Sequence, residues 1–463
     1  MSVHPKERVS NRWLIATMCT VLQLCLGTVY AWSYFQPLLV EQFRWTNTAT
    51  SWAFGLTNCC LGLSAAWGGI NLARIGPRKL AVAGGLLFAA GYALAAVALA
   101  LKSLTLFYLG YGVVAGIGIG LGYVTPMSTV TKWFPDKKGL LTGIVAMGFG
   151  LSGSALSVVL APILMRAFHG NLTLVFAALG AILGSAAFGS AAMLRDPPAG
   201  YLPTGYIPPA KDARAADPLA ELEEESDLPL REYVLAGQHA IMWFIFFLNI
   251  MAGISIVSFL SPLYQDVWRL DDPTLERSVI VGYGATLIAV SSLFNGLGRI
   301  VWGSVSDRLG RINTFRLLLA SQLIVFGILM TEHNPWVFAI LVCYVLSCFG
   351  GGFAIMPSMV IDVYGPKRMS RIYGVILTAL SAAGILGPLM VASIRDNYPD
   401  RAILYSFLLG VLMLGIGFIF SFLICDDRFI PRRILLQVFA VTPPAIRNRE
   451  CEETSSAQMK WAS

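Results

Sequence analysis

Twelve runs of apolar residues, each long enough to cross a bilayer, dominate this sequence. They cover residues 12–38, 50–72, 79–101, 105–131, 139–165, 171–194, 238–264, 279–304, 314–331, 335–361, 371–394 and 402–425. A spanning helix needs about 20 predominantly apolar residues. Hydrocarbon offers no partner for an open backbone N–H or C=O, so chain segments of this kind fold as helices that satisfy their own hydrogen bonds. The expected fold class is therefore an all-α membrane protein with twelve transmembrane helices. The composition agrees: 56% of residues are hydrophobic and 13% charged, against roughly 25% charged in a soluble domain. The first run, from Trp13 to about Val40, is too long for the apolar core of a signal peptide and reads as the first spanning helix.

The runs divide six and six around a polar segment, residues 195–237, that contains several prolines and the acidic stretch Asp217-Pro-Leu-Ala-Glu-Leu-Glu-Glu-Glu-Ser-Asp227. That composition suits a linker without a packed core. Four units are expected: an N-terminal six-helix half (1–194), the linker (195–237), a C-terminal six-helix half (238–425) and a polar tail (426–463). The halves resemble each other internally. Gly69, Arg74 and Gly76 match Gly303, Arg308 and Gly310 at an offset of 234. Gly120, Pro126, Gly143 and Gly153 match Gly351, Pro357, Gly374 and Gly384 at an offset of 231. Two parallel, glycine-rich repeats of six helices are a transporter architecture.

Loop charges give the orientation. The amino terminus, the turns after helices 2, 4, 8 and 10, and the start of the tail hold eighteen Lys or Arg, against seven on the opposite side (Arg44, Lys102, Arg166, Arg269, Arg277, Arg395, Arg401). By the positive-inside rule both termini and the linker are expected in the cytoplasm. The net charge of +7 is thereby topological, and no nucleic-acid partner is expected. The eight cysteines show no CxxC pair and no His at metal spacing, which excludes a metal site by sequence pattern and fits small buried thiols.

One charge stands inside an apolar run. Arg299 precedes Asp307 by eight residues, which places it about 12 Å deeper along a helix. A guanidinium stays charged at any workable pH, and at that depth it needs a polar or anionic partner. Its fork suits a carboxylate bidentately. The plainer alternative is an arginine that donates to helix carbonyls near one membrane face.

Several motifs carry a family resemblance. Gly303-x-x-x-Asp307-Arg308-x-Gly310-Arg311 resembles the cytoplasmic signature of the major facilitator superfamily, with Ala73 standing where the first-half copy usually has Asp. Within it, Gly27-Thr-Val-Tyr-Ala-Trp-Ser33, Lys132-Trp-Phe-Pro-Asp-Lys-Lys-Gly139, Leu194-Arg-Asp-Pro-Pro-Ala-Gly200 and Phe294-Asn-Gly-Leu-Gly-Arg299 resemble the oxalate/formate antiporter family. The monocarboxylate transporters are its related neighbours. The resemblance implies transport of small carboxylates by rocker-switch alternating access, with Arg299 at the place of a substrate-contacting arginine. Two positions depart from it. Asn295, one turn before Arg299, stands where proton-coupled relatives commonly have a carboxylate. Leu380 stands where the oxalate carriers have a second cation, a lysine.

The expected substrate site is Arg299 and Asn295 with an aromatic lining: Tyr30 and Tyr34 on helix 1, Tyr123 on helix 4, Phe349 and Phe353 on helix 10. Helix packing alone would explain any one of these rings, and Gln36 and Asn249 are weaker polar candidates. Gly303, Asp307, Arg308, Gly310 and Arg311 are expected to gate, Asp307 by meeting the amino end of helix 5 near Lys138 and Gly139. No nucleophile–base pair, metal spacing or phosphate loop is present, so no enzyme activity and no cofactor are expected. The expected function is secondary transport of a small organic anion, by charge counting a monocarboxylate, by a chain that works as a monomer in a plasma or inner membrane. Efflux of a larger metabolite, or carboxylate sensing without transport, are the competing readings. An efflux carrier would show a large cavity without a dedicated cation, and a sensor would need a folded output domain.

Overall fold

The structure, a computed structural model, describes residues 11–198, 201–203, 237–364 and 368–424, and of residues 138–140 the backbone alone. Most of the expected linker, residue 425 and the whole expected tail 426–463 lie outside the described residues. Twelve helices long and apolar enough to span a membrane are present: α1 (Arg12–Phe43), α2 (Asn47–Ile75), α3 (Pro77–Ala100), α4 (Leu104–Trp133), α5 (Leu141–Ala167), α6 (Leu172–Met193), α7 (Gly237–Asp271), α8 (Arg277–Leu309), α9 (Arg311–Leu329), α10 (Pro335–Tyr364), α11 (Met369–Asn397) and α12 (Pro399–Ser421). They form two six-helix halves, α1–α6 and α7–α12. Large apolar side chains point outward, among them Ile340, Ile419 and Ile324 at 69%, 68% and 66% exposure, a surface that only lipid would cover at low cost.

Most of the helices outrun their apolar runs. At 35 residues, α7 is about 52 Å long, well beyond ~30 Å of hydrocarbon. Polar caps set such ends: Thr46 Oγ1 accepts from Ala49 N at 3.0 Å and starts α2 at Asn47, three residues ahead of its apolar run.

The internal repeat reappears in the backbone. Gly76, between α2 and α3, has φ 87° and ψ 152°, and Gly310, between α8 and α9, has φ 86° and ψ 149°. Side-chain-bearing residues avoid this region, so the two equivalent glycines make two equivalent hairpin turns.

Several helices are interrupted. A 3₁₀ turn, Gly27–Ala31, breaks α1, and α7 breaks at Phe259, three residues before Pro262, whose ring cannot donate to the preceding turn. Wide π turns occupy Tyr108–Ala115 in α4 and Ala155–Leu160 in α5, and α11 is offset at Leu377. Such interruptions aim side chains away from a regular helix face and recur at functional sites.

The halves meet along α2 with α11 and along α5 with α8. At the first contact Ser381 Oγ donates to Cys59 O at 2.8 Å. At the second, Ser154 Oγ donates to Ala289 O at 2.5 Å, and Gly150 lies so close to Gly296 that a Cβ would strike its backbone. The described cysteines are free thiols.

Candidate substrate-binding site

Arg299 reaches the interface between the halves from α8 and is 1% exposed. Among the described residues no Asp, Glu or Lys is buried, so this guanidinium is the one buried formal charge of the spanning helices. It sits between two rings, its Cζ 5.8 Å from the centroid of Phe149 on α5 and 5.5 Å from that of Phe353 on α10. Both distances lie within cation–π range, which offsets part of the desolvation. None of Nε, Nη1 or Nη2 completes a hydrogen bond to the protein. The Tyr30 hydroxyl lies beside the guanidinium. Rings alone do not replace the hydrogen bonds its N–H groups lose on leaving water, so these donors are open to an anionic or polar partner.

The rings form a continuous wall around it. Tyr30, carried on the 3₁₀ turn of α1, meets Phe149 edge-on at 5.2 Å and Phe349 at 5.8 Å. Tyr123, from α4, meets Phe149 at 5.1 Å. Phe349 and Phe353, one turn apart on α10, pack at 5.3 Å, and Gly253 of α7 leaves room for Phe349. Arg299, Tyr30, Tyr123, Phe349 and Phe353, expected from the sequence, therefore come together.

Two residues join them that sequence reasoning missed. Phe149 touches Tyr30, Tyr123 and the Arg299 guanidinium. Its signals were a lone ring between Gly148 and Gly150, and the repeat offset of 231, which pairs Phe149 with Leu380 (380 − 149 = 231). Tyr373 of α11 is 4% exposed, and its phenol meets that of Tyr123 within the field of Arg299. It lies in the short segment Met369–Ile376 that the offset at Leu377 sets apart.

The remaining expected residues make their contacts with other partners. Tyr34 lies one turn beyond Tyr30, against Phe35 and near Arg166. Asn295 is buried with its Oδ1 unpartnered and turned against Gly350 of α10. Gln36 donates to Asn47 Oδ1 at 2.7 Å, at the end of the bundle away from the amino terminus. Asn249 accepts from Gln322 inside the second half at 3.0 Å. Leu380 is buried, 4% exposed, two turns beyond Tyr373 on α11.

The expected gate residues cluster at the other end of α8. Asp307 pairs with Arg311 at 2.5 Å, and Arg311 reaches Ser306 Oγ at 2.6 Å and Asp362 of α10 at 3.5 Å. Arg308 is exposed, Gly303 faces Ala354, and Gly310 makes the turn. The expected contact of Asp307 with Lys138 and Gly139 lies outside the described side chains. Two motifs far apart in sequence join at this end of the first half. Lys132 pairs with Asp196 at 2.8 Å, and Trp133 Nε1 donates to Arg195 O at 2.7 Å.

Twelve spanning helices in two repeats, with a buried cation where the repeats meet, define the class: a multi-pass membrane transporter, not an enzyme. The family model described as Major Facilitator Superfamily matches residues 17–388, and the chain belongs to that superfamily. The oxalate:formate antiporter of Oxalobacter formigenes is 26% identical over 396 residues, covering 84% of this chain and 86% of that one. Monocarboxylate transporter 11 of Homo sapiens is 26% identical over 431 residues, covering 88% of this chain and 82% of that one. Among solved structures, a D-xylose-proton symporter superposes with a TM-score of 0.68 at 13% identity, covering 88% of this chain and 97% of that one, which shows the shared fold.

Proposed function

We propose that this protein is a secondary transporter of small monocarboxylates that works by rocker-switch alternating access, with both termini in the cytoplasm of a plasma or inner membrane. The observation that carries this reading is Arg299: one buried guanidinium, its nitrogens without protein hydrogen bonds, between rings drawn from both halves. A carboxylate would take two of its donors in parallel and neutralise it. The phenols of Tyr30, Tyr123 and Tyr373 offer hydroxyls to a second polar atom of the substrate, and the phenyl rings suit a small apolar body. Ligands from α1, α4, α5, α8, α10 and α11 span both halves, so a bound anion draws the halves together, as alternating access requires. The names of the relatives, an oxalate:formate antiporter and a monocarboxylate transporter, fit this substrate class. A carrier for larger metabolites has no need of a lone buried cation walled so closely by rings.

The test is uptake of labelled lactate, pyruvate and formate into liposomes holding the purified protein. Arg299→Ala is expected to abolish carboxylate transport, and Arg299→Lys, which keeps the charge but loses the fork, to reduce it by at least about tenfold, or ~1.4 kcal/mol. Full activity of Arg299→Ala would exclude the reading.

A further inference from the structure

The end of the bundle away from the amino terminus is fastened across the halves by a carboxylate that belongs to neither the substrate cluster nor the gate motif. Asp396, on the last turn of α11, accepts from Thr48 N at 3.0 Å, Thr48 Oγ1 at 2.6 Å and Asn47 Nδ2 at 2.9 Å, all on the first turn of α2. Asn47 in turn accepts from Gln36 of α1 at 2.7 Å. The first turn of a helix has backbone donors with no partner inside the helix. Locally, Thr46 satisfies one of those in α2, taking Ala49 N on Oγ1. The donor of Thr48 is satisfied by the other half of the molecule. The positive end of α2 thus faces a carboxylate at the negative end of α11.

Below this contact the same two helices are unusually close. Gly55, Gly62 and Gly69, seven residues apart, line the α11 face of α2, and a Cβ on them would press against Gly384, Ser381 and Ser370 respectively. A smooth seam of this kind lets one helix rock on another at low cost, but it supplies few directional contacts to choose between closed and open. Asp396 supplies them at one end. A second bridge at that end, Arg277 to Glu41 at 2.8 Å, has side chains 69% and 59% exposed, and such pairs contribute little. The Asp396 contacts are also solvent-accessible, so they are strong enough to bias the state and weak enough to break in each cycle.

We propose that Asp396, with Asn47 and Thr48, is the latch that holds this mouth of the transporter shut, and that its release opens the α2–α11 seam. The inference rests on the transporter reading but is independent of which substrate is carried, and its first test needs none. Ser51 is fully buried one turn below Asn47 and one turn above Gly55, on the same face. Ser51→Cys, in a background with the eight native cysteines replaced by alanine, reports opening by its rate of labelling with a water-soluble maleimide in nanodiscs. Asp396→Asn and Thr48→Val are each expected to raise that rate roughly fivefold or more as the open population grows. A rate unchanged in both variants, with melting temperatures near that of the parent, overturns the latch. Should either variant fold poorly, Thr48→Cys with Asp396→Cys gives an independent reading. Oxidation is expected to stop transport of whatever anion the parent carries and to block maleimide entry at a third cysteine placed at Ser51, and reductant to restore both. Labelling that continues at the reduced rate after cross-linking also overturns the proposal.

Discussion

The guanidinium of Arg299, on the second half of the molecule, lies 5.8 Å from the ring of Phe149 on the first. That contact crosses the surface where the two halves meet. Phe149 also holds Tyr30 and Tyr123 edge-on, so one ring orders the cation's surroundings and ties its position to the other half.

Removing that ring tests whether it acts on substrate recognition or on packing alone. Phe149→Ala takes the cation–π contact and two aromatic pairs, and core Phe→Ala changes cost about 3–5 kcal/mol. Phe149→Leu keeps most of the volume and removes the ring. The expected outcome is that Phe149→Leu stays folded, with a melting temperature within a few degrees of the parent, while its half-saturating substrate concentration rises several-fold. Unchanged transport constants in Phe149→Leu would reduce Phe149 to a packing residue.

Much of this site was legible beforehand because charge inside an apolar run is costly and therefore conspicuous. Arg299 announced itself by depth, Tyr30 with Tyr34 and Phe349 with Phe353 by one-turn spacing, and Tyr123 by the family resemblance. Tyr34 has other neighbours than Tyr30: one turn on an ideal helix keeps a face, whereas the 3₁₀ turn Gly27–Ala31 interrupts α1 just before it. Tyr373 and Phe149 escaped because a lone ring in an apolar helix carries no sign of which way it faces, and the break at Leu377 that sets Tyr373 apart has no proline beside it. Asp396 looked like an ordinary interfacial acid, since its partners are 348 and 349 residues away.

The repeated turn makes a prediction about stability. A Cβ on Gly76 would meet nothing within 4 Å, so Gly76→Ala tests the backbone alone at φ 87°. Forcing a side-chain-bearing residue into such a region costs of order 1–3 kcal/mol. Gly189, inside α6, is equally open but has ordinary helical geometry, and alanine there is expected to be neutral or stabilising by up to ~1 kcal/mol. Thermal unfolding in detergent should therefore lower the midpoint for Gly76→Ala and leave or raise it for Gly189→Ala. Equal shifts in the two variants would remove the strained turn as the cause.

Charge counting gives the last prediction. Arg299 is the one buried formal charge among the described residues, and Leu380 is 4% exposed on α11. A monoanion bound to Arg299 leaves no net charge in the site. A dianion such as oxalate leaves one carboxylate with phenol hydroxyls at most and no counter-charge, and even part of the several kcal/mol that an uncompensated buried ion costs exceeds the ~1.4 kcal/mol of a tenfold change in affinity. Unlabelled lactate should therefore displace a labelled monocarboxylate from the liposome-reconstituted protein at lower concentration than oxalate does. Leu380→Lys adds a cation at the equivalent place to Phe149 in the other repeat. It should move preference toward dicarboxylates and weaken monocarboxylate binding, because the added ammonium is then itself left without a counter-charge. Oxalate outcompeting lactate tenfold in the unmodified protein would refute the one-charge argument, and a Leu380→Lys protein that folds and keeps the parent's preference would show that residue 380 does not face the substrate.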